Sequence, residues 1–236
     1  MIHLAVFPNS RGRDSLIHSS LDVPISKDKI HVLACFQDLF LASVDTTSAT
    51  TVWAMSELAK NPRVMTKVQA EIRKIIGNKT EVEESEIEKL KYFKMVVKET
   101  MRLHHAAPLL LPRESMQHCN IGGYNVYPKT RIFVNAWAIG RDINTWSKPD
   151  EFYPERFEDS EIDFKGQHYE LIPFGVGRRM CPGMTMALAS VESTLANMLH
   201  RFDWQLLSGM KHEDINMEEA VGLTINKKFP LHLVPI

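Results

Sequence analysis

The stretch FGVGRRMCPGMTMA, from Phe174 to Ala187, sets a cysteine between a glycine-containing loop and an amphipathic segment, just after two arginines. Such a thiol could be core filler, a redox thiol, a catalytic nucleophile or a metal ligand. Pro182 suits the first position of a helix, so Cys181 is expected at the N-cap of a helix from about Pro182 to His200. Its apolar face would be Met184, Leu188, Val191, Leu195 and Met198. A helix N-terminus favours an anion and lowers a thiol pKa. Gly175 and Gly177 clear side chains from the loop, so backbone could approach a sulfur or a flat ligand. A free cysteine is by default a buried structural residue. The glycines, the arginine two residues ahead and the Pro-Gly start weigh toward a ligand thiolate. The other cysteines, Cys35 and Cys119, are distant and no CxxC occurs, which disfavours a disulfide framework or a zinc ribbon and fits a reducing compartment better.

Other residues with chemical potential recur at helical spacing. Glu99 and Arg102, in KETMR, stand three apart and can pair. Exposed pairs of this kind contribute little, but Val96, Val97 and Met101 imply burial close by. In ASVDTT, Asp45 and Thr46 fall in an otherwise apolar helix. A threonine there can bond the carbonyl one turn back, and an aspartate needs a reason to be there. The bland reading is a polar bend held by water; the functional one is a proton relay. His104 and His105 lack a third partner at metal spacing, which favours packing or solvent.

The elements that position these residues are mostly helical. A helix from about Lys29 to Lys60 would be about 45 Å long and is apolar on more than one face, with Leu33, Phe36, Phe40 and Val44 on one side and Val32, Leu39 and Ala42 on another. A helix apolar all round belongs in a large core, larger than this chain alone suggests. Asn61-Pro62 reads as N-cap and first helical residue of a second helix, with Met65, Val68, Ile72 and Ile75 as its buried stripe and Gly77-Asn78 as its end. Ser85 and Glu88 have capping-box spacing. Phe93, Val96, Val97 and Met101 mark a third long helix. Tyr124 to Tyr127 and RIFVNAW read as strands, residues 141–170 as irregular, and GLTINKKFPLHLVPI as a strand pair. Residues 9–29 are polar and read as a loop. The 236 residues carry a net charge of -1, which gives no electrostatic case for nucleic acid. The N-terminus lacks a basic n-region, and the apolar region from His31 to Met55 is broken by Asp38 and Asp45, so neither a signal peptide nor a membrane span is expected.

FGVGRRMCPG resembles the haem-binding loop of the cytochromes P-450, F-x-x-G-x-R-x-C-x-G, with Phe174, Gly177, Arg179, Cys181 and Gly183 at all the fixed positions. The resemblance implies that the Cys181 thiolate is the axial ligand of the haem iron, pushing electron density toward O–O cleavage. It implies that Arg179, and Arg113 in LPRE, contact haem propionates, while Arg178 fills a variable position. In the family, E-x-x-R and the arginine of PERF form a buried triad supporting the haem loop, and Glu99, Arg102 and Arg156 match. The family pattern A-G-x-D/E-T assigns Thr46 to hydrogen-bonding dioxygen and Asp45 to feeding protons, with Ser43 where glycine is usual. His105 and Ala106 stand where prolines are usual. Ala42, Val44, Ala107 and Leu110 would touch substrate, and GLT at Gly222 to Thr224 resembles a terminal substrate-contacting turn.

The implied fold is mainly α with a small β-sheet, the C-terminal part of the cytochrome P-450 fold, incomplete on its N-terminal side. Residues 1–28 would be a polar lead-in and 29–236 the haem-binding portion of a single domain. Family members are roughly twice this length, so the chain is expected to be a fragment or truncated product lacking the membrane anchor and the helices over the other haem face. NAWAIGRD, FYPERF and GLT resemble the plant microsomal branch, which implies haem b, electrons from NADPH through a separate NADPH-cytochrome reductase, and a small apolar substrate. It also implies the endoplasmic reticulum membrane, reached only through the absent half. The expected reaction inserts one oxygen atom from dioxygen. The alternatives are a non-catalytic haem-binding remnant and a hydroperoxide isomerase or lyase relative.

Overall fold

Helix α1 runs from Lys27 to Lys60, 34 residues with no glycine or proline to interrupt it. In this computed structural model, residues 4–7 and 27–236 are described. The other long helices are α2 (Pro62–Ile76), α4 (Lys91–Leu103) and α6 (Met184–Arg201); α3 (Glu84–Ile87) and α5 (Ala136–Ile139) are single turns. The strands are β1 (Leu4–Phe7), β2 (Arg113–Glu114), β3 (Cys119–Ile121), β4 (Tyr124–Val126), β5 (Arg131–Val134), β6 (Trp204–Leu206) and β7 (Leu233–Pro235). They form antiparallel sheets of order β1-β5-β2, β3-β4 and β6-β7. The architecture is mainly α with small sheets, as expected. Among the described residues, no helix is long and apolar enough to cross a membrane.

The core lies where α1, α2, α4 and α6 meet. The C-terminal half of α1 gives it Ala54, Met55 and Leu58; α2 adds Val68 and Ile72, α4 adds Phe93 and Val96, and α6 adds Leu195 and Leu199. Each such leucine, isoleucine or phenylalanine contributes about 1.5–3 kcal/mol by leaving water. The expectation that α1 lies wholly in a core holds only for this half. In its N-terminal half Phe36, Leu39, Phe40 and Leu41 are each more than half exposed, because nothing among the described residues packs on them.

Helix α2 is the frame that orients its neighbours. Both carboxylate oxygens of Glu71 accept from the first backbone N–H groups of α4, at Tyr92 and Phe93, each at 2.9 Å. An anion there complements the helix dipole and replaces the side-chain cap that Leu90 cannot provide. At the other end of the core, Gln69 Nε2 donates to the carbonyls of Leu199 (3.3 Å) and Phe202 (2.9 Å), closing the C-terminus of α6. Two core helices, α4 and α6, are thus tied to α2 by its polar side chains Glu71 and Gln69.

Several local expectations are corrected. Asn61 makes no side-chain cap; its Nδ2 donates back to the Glu57 carbonyl (2.8 Å) instead. The capping box is Glu83 with Glu86, not Ser85 with Glu88, and Ser85 lies inside α3. The NAW of RIFVNAW leaves the strand: Asn135 Oδ1 accepts from the Ala138 N–H and starts α5. The C-terminal strand pairs with β6, 27 residues or more upstream, through Gln205 and Val234, rather than within residues 222–236. Of the lead-in expected over residues 1–28, Leu4–Phe7 forms β1, in register with β5 (Leu4 opposite Val134), and α1 begins at Lys27. The remainder, residues 1–3 and 8–26, lies outside the described residues.

Candidate functional site

The cysteine loop is shaped by its glycines. Gly175 and Gly177 have φ of +71° and +73°, a region that residues with a Cβ occupy only at a cost. The Cys181 N–H donates to the Phe174 carbonyl (2.9 Å) and the Gly175 N–H to Ile172 (3.0 Å), so the loop is closed on itself by backbone bonds. Phe174 packs edge-on against Phe164, with centroids 5.8 Å apart, and anchors the loop to the core. The Cys181 thiol is exposed. The expected N-cap position is corrected: the cap of α6 is Gly183, and Cys181 lies two residues before it. The Pro182-Gly183 pair forms a turn of its own before the helix starts, so the helix dipole acts on the sulfur from farther away than expected. Gly183 leaves the flank of the sulfur free of a side chain; a Cβ there would stand 3.9 Å from Sγ.

Two arginines from distant segments meet at this loop. Arg113, on β2, donates from Nη2 to the Arg179 carbonyl (3.1 Å). Arg179 itself is exposed, as is Arg178, and Arg113 is half-buried. Leu110, with φ of +50°, reaches the same loop: its Cδ1 would lie 3.7 Å from a Cβ on Gly175. The loop thus presents an exposed soft donor with positive charge and apolar surface beside it, a set suited to an iron porphyrin with acidic side chains. Asp45 and Thr46 are on α1 and share no hydrogen bond with the loop among the described residues. Thr46 Oγ1 donates to the Ala42 carbonyl (2.6 Å), and Asp45 is exposed. Ala42 and Val44 are exposed on the same helix, and Ala107 is half-buried.

Glu99, Arg102 and Arg156 are brought together and buried. Arg102 grips the carboxylate with Nε to Oε2 (2.7 Å) and Nη2 to Oε1 (2.8 Å). Arg156 adds Nε to both oxygens, at 2.9 and 3.0 Å, and the Tyr153 N–H donates to Oε1 at 2.9 Å. The remaining guanidinium protons go to carbonyls of the irregular segment: Arg102 to Gly140, Pro149 and Glu151, and Arg156 to Ser147, Lys148 and Glu151. A buried ion triad is tolerable only when every partner is satisfied, and here the carbonyls do the satisfying. A Cβ on Gly140 would lie 2.5 Å from the Arg102 carbonyl, so only glycine lets that strand of chain approach α4.

Sequence reasoning missed the outer half of this clamp. Glu155 accepts from Arg63 and Lys67 of α2 and from the Tyr92 hydroxyl (3.0 Å) of α4. The Arg63 hydrogen bond foremost pulls the Glu155 pKa down to about 2. The turn Pro154–Phe157 is therefore pinned from both sides, by Arg156 inward and Glu155 outward. Arg63 and Glu155 stand 92 positions apart, so no spacing in the sequence signals the pair. Also missed was Glu57, whose Oε1 lies 2.7 Å from Nε2 of buried His104, itself stacked on Trp53 at 4.1 Å. Among the described residues no cluster of histidine, cysteine and carboxylate could hold a bare metal ion.

A family model described as Cytochrome P450 matches residues 14–233. Cytochrome P450 71B20 of Arabidopsis thaliana is 52% identical over 229 residues, covering 97% of this chain and 44% of the relative. Parthenolide synthase of Tanacetum parthenium is 52% identical over 224 residues, covering 94% of this chain and 44% of the relative. A zebrafish cytochrome P450 solved with abiraterone superposes with a TM-score of 0.78 at 29% identity, over 93% of this chain and 50% of that one. The chain spans less than half the length of the curated relatives it matches.

Proposed function

The chain belongs to the cytochrome P450 family, and on that premise we propose that it is the haem-binding portion, residues 29–236, of a plant haem-thiolate monooxygenase. The observation that carries this is the exposed Cys181 thiol on a loop bent by Gly175 and Gly177, with Arg113 and Arg179 joined beside it. Cys181 would ligate the iron of haem b, and the two guanidiniums would pair with its propionates. Bound there, haem supplies the redox chemistry by which one oxygen atom of dioxygen enters a small apolar substrate, with electrons from NADPH through a reductase at the endoplasmic reticulum membrane. Parthenolide synthase among the relatives favours a terpenoid-like substrate.

The chain's own residues divide the remaining work. Phe174 and Gly177 hold the Cys181 backbone through the loop's internal bonds, and Gly183 keeps the sulfur's flank free of a side chain. Glu99, Arg102 and Arg156 hold the segment before the loop. The Thr46 hydroxyl donates to the Ala42 carbonyl, which leaves its oxygen lone pairs open to accept a hydrogen bond, and the adjacent Asp45 carboxylate is exposed to solvent, where a proton relay would begin. Ala42, Val44, Ala107 and Leu110 give the site an apolar wall. The open apolar face of α1 supports weak haem retention and little turnover by these 236 residues alone.

The test is a carbon monoxide difference spectrum of the reduced chain titrated with haem. A red-shifted Soret band that disappears in Cys181→Ala is expected. No such band at saturating haem, or a band that survives in Cys181→Ala, would defeat the assignment. Robust substrate oxidation by the purified chain with reductase would defeat the weak-retention statement.

A further inference from the structure

The segment that carries Gly222–Thr224 is tied to the core by both backbone polar groups of one residue, Ile225. The Ile225 carbonyl accepts from Trp53 Nε1 of α1 at 2.9 Å, and the Ile225 N–H donates to the Ala106 carbonyl at 2.9 Å. Trp53 is fully buried and held flat against His104, which pairs with Glu57 on the same helix. His104 and Ala106 belong to one loop, so the contacts close into a ring: α1 to Ile225, Ile225 to Ala106, and that loop back through His104 to the Trp53 face. Beyond the ring, Gly222 folds tightly, a Cβ there standing 2.9 Å from the Thr224 carbonyl, and Val221 and Leu223 project into solvent. A turn with so little burial of its own takes its position from whatever holds its end.

We propose that Trp53 is a positioning residue: through the Ile225 peptide it holds the Gly222–Thr224 turn against the Ala106–Leu110 loop and so sets how an apolar ligand is enclosed there. The enclosing role rests on the functional reading above; the tether does not. Its directional element is the indole N–H, the one group of Trp53 that an apolar ring of similar placement lacks.

Amide exchange of the 236-residue chain tests the tether. The Ile225 amide should be protected relative to the Leu223 amide, and equal rates would overturn the proposal without any variant. In Trp53→Phe, exchange across residues 220–227 should rise about fivefold to tenfold, the loss of one buried hydrogen bond, while α6 amides keep their rates. No rise, or a uniform rise across the protein, would overturn it. With haem bound, the same variant should weaken several-fold the Soret shift induced by a sesquiterpene hydrocarbon at unchanged haem content, and an unchanged shift would refute the enclosing role. Neither exchange measurement needs haem, so failure of the haem assignment registers separately in the carbon monoxide spectrum.

Discussion

His105 should make this chain acid-sensitive in a defined window. The imidazole is 2% exposed, and its Nδ1 has no hydrogen-bond partner among the described residues. Burial first, then the guanidiniums of Arg141 and Arg102, push its pKa from 6.5 down to about 3. The folded state therefore refuses a proton that the unfolded chain accepts, so stability is full above the unfolded pKa and is lost as pH falls toward the folded one. Integrating between about pH 7 and about pH 5 gives a loss of ~2 kcal/mol from this group alone. Urea denaturation of the chain and of His105→Leu at both pH values isolates it, because the other titrating groups, His104 with its Glu57 partner included, are common to both proteins. The wild type should lose ~2 kcal/mol more than the variant on acidification. Equal losses would refute the reasoning, since they would mean that the imidazolium finds solvent or a counter-charge in the folded state.

Two further outcomes follow from the same geometry. Glu99→Gln leaves two guanidiniums buried against a neutral amide and should cost about 3–5 kcal/mol, read as a large fall in Tm; a shift of a degree or two would mean that the triad is not buried as described. Gly177→Ala meets no atom within 4 Å, so only its φ of +73° opposes the change; a loss of about 1–2 kcal/mol in urea is expected, and a neutral result would mean that the loop adopts another backbone.

The chemistry-bearing residues were legible because their spacing is short. Cys181 with its glycines and Arg179, and Glu99 with Arg102, each lie within one loop or one helical turn, where local geometry leaves few arrangements. The apolar stripes of α2, α4 and α6 were legible for the same reason, since periodicity reports a face, except that the last buried residue of α2 is Ile76 and the expected Ile75 is exposed. Boundaries were less so: Cys181 misses the N-cap because Pro182-Gly183 forms a turn before the helix begins.

What only the tertiary structure decided are the pairings between residues far apart in the chain. Arg156 finding Glu99, Glu155 finding Arg63 and Tyr92, Glu71 capping α4 and Trp53 reaching Ile225 all depend on how helices cross, and no periodicity encodes a partner 21 to 172 positions away. The same holds for α1, whose sequence is apolar on more than one face. Composition determined that it would seek burial; packing decided that Trp53 and Leu58 obtain it from α4, α6 and their neighbours while Phe36 and Phe40 do not. Hydrophobicity is a property of the residue, whereas burial is a property of what stands opposite it.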